Sequence, residues 1–147
     1  MIPIVIYNSW IMKKLNEFHH RRYLKERDKN PKETKMPFRG YAAMTIYPFI
    51  LVDGPDIDNE TFRHETIHIK QYTETLIIGF LLIYAWDYFY SRFWKRMSHD
   101  KAYENIRFEK EAYQNARDPL YLRDRKHFAW TKFPLKRTDD AEDTDSR

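Results

Sequence analysis

His64-Glu65-Thr66-Ile67-His68 is the stretch on which the reading of this 147-residue chain turns. On an α-helix, residues four apart lie one above the other, so His64 and His68 direct their imidazoles at a single point. That is how a helix chelates zinc, with Zn–N near 2.0 Å. Glu65 lies about 100° round the helix from His64, off the metal axis but within reach of a metal-bound water, where a general base belongs. The stretch predicts a long helix. Asp58 is its N-cap, Glu60 suits the first-turn dipole, and the helix runs through Gln71 and Thr75 into the uncharged run from Leu76 to Trp86.

Alone, the pentapeptide is a near-chance match, arising in about 2% of shuffles of this composition. A catalytic zinc site takes three protein ligands and leaves the fourth position open. With no cysteine in the chain, the third must be His, Asp or Glu. Glu104, Glu109 and Glu111 are the downstream candidates, on a second helix expected from about Asp100 to Arg117, where Asp118-Pro119 ends it. With Glu109 at 0°, Ile106, Ala112, Tyr113 and Ala116 all fall within about 60° of it, whereas Glu111 lies at about 200° on the wet face with Arg107, Lys110 and Gln114. A carboxylate centred on an apolar face is costly unless paired or bound to a metal. His64, His68 and Glu109 are therefore the expected zinc ligands. Glu111 as ligand, or an Arg salt bridge at Glu109, remain the alternatives.

Gln71 and Thr75 extend the same helix face and are candidates for bonding the ligands from behind. Tyr103, Tyr113, Tyr121 and Arg123 are candidate oxyanion stabilisers. His19, His20, His99 and His127 stand apart from the motif in sequence.

The segments from Arg63 to Gln71 and from Phe108 to Tyr113 resemble the gluzincin-like metallopeptidases. More specifically, with a Thr45-Ile46-Tyr47-Pro48-Phe49-Ile50 strand before the motif helix, the chain looks like short Bacteroidetes and phage proteins of that type. The resemblance covers roughly residues 40 to 130. It implies a minimal zincin-like α+β fold, mostly helical, with a small edge strand or hairpin. It also implies a zinc-dependent hydrolase with His64, His68 and Glu109 as ligands and Glu65 as the base that activates water. Tyr113 departs from the pattern, because many gluzincins carry Asp four residues after the ligand Glu; a supporting carboxylate would have to come from elsewhere. A peptide or protein substrate would lie along the strand of residues 41 to 52. The competing expectation is a zinc-stabilised structural or interaction module, without turnover, of a phage or bacterial assembly.

The rest of the sequence frames this site. The length suits one domain, taken as residues 1 to 134, and the acidic composition of residues 135 to 147 predicts a disordered tail. A short extended start should lead into a helix across residues 9 to 29, broken at Asn30-Pro31, with a loop over 32 to 39. Residues 41 to 52 read as strand interrupted at Pro48, and residues 120 to 130 as a further helix. Five of the 22 acidic residues follow Thr138, leaving about +8 on residues 1 to 138, yet no groove-reading or RNA-binding signature accompanies that charge and nucleic acid is not expected as a partner. The uncharged run 76 to 86 is too short to span a bilayer, which needs about 20 residues. It predicts a buried core helix or, with the aromatics and cations up to residue 96, peripheral membrane contact through residues 76 to 94. The N-terminus lacks a basic leader and a cleavage site, so a cytoplasmic location is expected.

Overall fold

The computed structural model describes residues 2–29 and 41–135. The expected 32 to 39 loop lies outside them, as does the expected tail beyond residue 135. The chain is α+β and mostly helical. Its elements are β1 (Ile4–Ile6), α1 (Trp10–Lys29), β2 (Ala43–Ile46), β3 (Phe49–Val52), α2 (Asn59–Phe89), a π-helical segment (Tyr90–Trp94), α3 (His99–Glu104), α4 (Arg107–Asn115), α5 (Tyr121–Asp124) and a 3-10 turn (Ala129–Lys132).

The interruption read at Pro48 is the turn of a hairpin: β2 and β3 pair antiparallel either side of Tyr47 and a cis Pro48, in the register Ala43 to Val52 and Ile46 to Phe49. β1 adds parallel to the other side of β3, so the sheet order is β1-β3-β2 and β2 is an edge. One core lies between this hairpin and α2, where Ala43, Ile50 and Val52 meet Ile69. A second, formed by Tyr72, Phe80, Ile106, Phe108 and Trp130, sits further along α2. The expected N-cap is in place: Asp58 Oδ1 accepts from the backbone N–H groups of Glu60 and Thr61, both at 2.9 Å.

The long helix is not continuous. Leu76 has φ 57° and ψ 159°, which divides α2 into arms of residues 59–75 and 77–89. In an unbroken helix Tyr72 and Phe80 would stand about 12 Å apart along the axis. Here their rings stack at 3.7 Å, so the second arm folds back over the first. That backbone region is almost confined to glycine and costs a leucine about 1–3 kcal/mol. Burial of Phe80, stacked on both Tyr72 and Phe108, offsets the cost. Residues 76–86, expected as a buried core helix, therefore bury only one face: Phe80 packs inward while Ile78, Leu82 and Trp86 are exposed. No helix of the described residues is long and apolar enough to cross a membrane.

The second predicted helix is also divided. Asn105 and Ile106 separate α3 from α4, with Ile106 extended at φ −61° and ψ 128°. Fully buried Asp87 explains the restart, since its carboxylate accepts the backbone N–H of Arg107 at 3.2 Å and takes that guanidinium in two bonds of 2.9 and 2.8 Å. Arg107 is thus a paired residue rather than part of a wet face. Residues 120 to 130, expected as one helix, form only the single turn of α5 and then the start of the 3-10 turn.

Candidate metal centre

The first arm of α2 presents His64 and His68, one turn apart, to Glu109 in the first turn of α4. The mutual distances are 3.1 Å between the two Nε2 atoms, 3.4 Å from His64 Nε2 to Glu109 Oε2 and 3.5 Å from His68 Nε2 to Glu109 Oε1. Bonds of about 2.0–2.1 Å at the tetrahedral angle place neighbouring ligand atoms about 3.3–3.4 Å apart. The two histidines meet different oxygens of Glu109, and one ligand atom from each of the three residues lies within 4.8 Å of the others, close to that spacing. Glu109 Oε2 is buried and has no hydrogen-bond partner, which for a carboxylate oxygen is an expensive state that a cation removes. Nitrogen and carboxylate donors with no thiolate suit zinc, so the residues fit the ion. Among the described residues they form the one group of three or more His, Asp or Glu placed to hold a metal.

The hydrogen bonds behind the ligands fix the histidine tautomer. Gln71, fully buried, donates its amide N–H groups to Phe108 O at 3.1 Å and to Glu111 Oε2 at 3.0 Å. Both partners only accept, so Gln71 Oε1 is the atom facing His68 Nδ1 at 2.7 Å, and Nδ1 must carry the proton. In the neutral imidazole, His68 Nε2 is thereby left to turn its lone pair toward His64 and Glu109. Glu111 is held in turn by Arg125, which also clamps Glu74, and by the Tyr121 hydroxyl at 2.9 Å. This corrects the expectation for Glu111. It is not on a wet face: it is fully buried, bonded to Gln71, and stands outside the group of His64, His68 and Glu109 that could hold a metal.

Without a metal, His68 and Glu109 form a coupled pair. Burial pulls the His68 pKa down, but Glu109 outweighs it, with help from Glu65 and Gln71, and raises it to about 9. Burial pushes Glu109 up, and His68 and His64 overcome this to hold it far below the usual carboxylate range. Tyr84 donates its hydroxyl to Glu109 Oε1 at 2.9 Å. Burial and the same carboxylate keep Tyr84 and Tyr103 protonated and raise Tyr113 to about 12. The Tyr113 ring stands edge-on to His64 at 4.6 Å.

Glu65 lies beside the ligands and is 6% exposed. The Thr45 hydroxyl of edge strand β2 sits 2.7 Å from Glu65 Oε2 and 3.0 Å from the Glu65 carbonyl, tying that residue to the strand. A cleft of about 400 Å³ opens on these residues, walled by β2, by Leu15 and His19 of α1, by Phe80, Leu81 and Tyr84 of the second α2 arm and by Tyr103.

The structure brings together His64, Glu65, His68, Glu109, Gln71, Tyr103 and Tyr113. It leaves others apart. Thr75 bonds its hydroxyl to the Gln71 carbonyl, Tyr121 serves Glu111, and exposed Arg123 pairs with Asp124. His19, set apart from the motif in sequence, does line the cleft, whereas His99 meets the Tyr88 hydroxyl and His127 is exposed. Sequence reasoning missed Tyr84, Thr45 and Arg125. Thr45 had a signal, because strand alternation puts it with Ala43 on the face toward α2; Tyr84 reaches the site only through the break at Leu76, which no breaker residue announces. No protein-family model, curated protein or solved structure matches the chain.

Proposed function

We propose that the chain is a zinc-dependent hydrolase of the gluzincin-like type, with a minimal zincin-like fold and peptide bonds as its substrate class. The observation that carries this reading is the convergence of His64 Nε2, His68 Nε2 and the Glu109 carboxylate, with one ligand atom from each within 4.8 Å of the others, and with Glu65 and an edge strand bordering the same cleft. Bound zinc would polarise a scissile carbonyl and lower the pKa of water. The protein's own residues do the remainder. Glu65 takes a proton from the attacking water and passes it to the leaving amine, while Thr45 keeps its carboxylate oriented. Tyr84 holds Glu109, and Gln71 holds His68 in the metal-binding tautomer. The antiparallel register of β2 and β3 turns the backbone groups of Ala43 and Thr45 away from β3, where an extended peptide can pair with them.

Purified wild-type protein and Glu65→Gln test this, by metal content and by cleavage of a diverse peptide library. The reading expects equal zinc in both and turnover only in the wild type. Equal turnover in both removes Glu65 as base.

One observation favours a second reading, a zinc-stabilised module without turnover, as in a phage or bacterial assembly. The Glu65 carboxylate is buried and already engaged by Thr45. In that case zinc contributes folding energy, chelation unfolds the chain, and no peptide is cleaved.

A further inference from the structure

The second arm of α2 has two apolar faces, of which the core uses one. With Leu82 as the reference direction, Ile78, Trp86 and Phe89 fall within about 40° of it, and Phe93 in the π-helical segment stacks on Phe89 at 5.7 Å. Each of the five is at least half exposed, and Trp94, next along the chain, is 81% exposed. A continuous outward apolar stripe of this kind marks a contact surface. The cations Arg92, Lys95 and Arg96 cluster at its aromatic end, with Arg92 against the Phe93 ring at 6.0 Å. Between residues 75 and 98 the only acidic side chain is Asp87, which is fully buried and neutralised by Arg107. The exposed charges of this stretch are therefore all positive, and the nearest acidic side chains along the chain beyond its aromatic end, Asp100 and Glu104, belong to α3.

We propose that this face docks the protein in the plane of an anionic lipid surface. Aromatic rings enter the headgroup boundary and the three cations meet lipid phosphates. A second copy of the chain fits less well, because a two-fold pairing of this face would cover cations with no carboxylate to meet them. Lying flat is also the geometry open to an arm that belongs to no membrane-spanning helix. The inference does not depend on the metal reading.

The test is flotation of the full chain with vesicles of phosphatidylcholine alone and of phosphatidylcholine with roughly 30 mol% phosphatidylglycerol, at low and high salt. The wild type should bind the anionic vesicles at least about tenfold better than the neutral ones, and lose that advantage at high salt. The pairs Phe93→Glu with Trp94→Glu, and Arg92→Glu with Arg96→Glu, should each weaken anionic binding by at least about tenfold while circular dichroism stays unchanged. Absence of wild-type binding overturns the proposal. So does undiminished binding by both pairs, or a concentration-dependent dimer in sedimentation that the same substitutions dissolve.

Discussion

Replacing Gln71 by Met keeps side-chain length and removes every polar contact that holds His68 from behind. Three groups lose a partner: His68 Nδ1–H at 2.7 Å, Glu111 Oε2 at 3.0 Å and the Phe108 carbonyl at 3.1 Å. Glu111 keeps Arg125 and Tyr121, so the largest loss falls on His68, which is free to rotate or to place its proton on Nε2. Loss of such a supporting bond lowers metal affinity by about 10- to 100-fold, or roughly 1.4–2.7 kcal/mol. The stranded buried groups cost about 1–3 kcal/mol each in folding stability, so urea unfolding should register the substitution as well. The assay is zinc competition against a chromophoric chelator, on protein whose near-ultraviolet circular dichroism matches the wild type. A folded Gln71→Met variant that binds zinc within about twofold of the wild type refutes the claim that the Gln71 and Glu111 relay sets the His68 tautomer.

Leu76→Gly should stabilise the protein by about 1 kcal/mol, since relief of the positive-φ strain exceeds the entropy glycine gains on unfolding and little apolar burial is lost at a residue 76% exposed; a lower urea midpoint contradicts that. Asp87→Asn should destabilise by about 3 kcal/mol, because it leaves Arg107 without its bidentate partner at the start of α4; thermal unfolding measures it, and a change below about 0.5 kcal/mol contradicts it. For metal-free protein, the His68 pKa raised from 6.5 to about 9 gives stability that is complete below pH 6.5 and lost as pH rises toward 9. The depressed Glu109 gives stability that is present above pH 4.5 and lost as pH falls through its folded pKa, so the metal-free chain should be most stable between these values. Zinc displaces the His68 proton, so its affinity should run the other way, rising about tenfold per pH unit up to about 9, and calorimetry in buffers of different ionisation enthalpy reads that proton directly.

The grouping of His64, His68 and Glu109 was legible in sequence because each part obeys a local period. The four-residue step of His64 and His68 and the phase of Glu109 against Ala112 both survive folding, since neither crosses a helix break. Glu111 shows where phase stops being informative: it reports which side of α4 a residue occupies, and that side is covered by Gln71 of α2 and by Arg125. Arg125 lies outside any helix and offered no pattern. The break at Leu76 was illegible for a different reason. Leucine is a good helix former, and the reversal is driven by Phe80 packing on Tyr72 and Phe108, contacts between residues that local propensity does not weigh. With the reversal went the view of Tyr84 beside Glu109, although the aromatics and cations of the outward stripe were legible as a candidate membrane contact.

Elemental analysis of the wild type, His68→Ala, Glu109→Gln and Glu65→Gln, each purified without added metal and dialysed, tests the central claim most directly. The account predicts about one zinc per chain in the wild type and Glu65→Gln, and loss of at least about 90% of it in the two ligand variants. Full zinc retention in His68→Ala or Glu109→Gln, or a wild-type protein that takes up no stoichiometric metal when zinc is supplied, would contradict it.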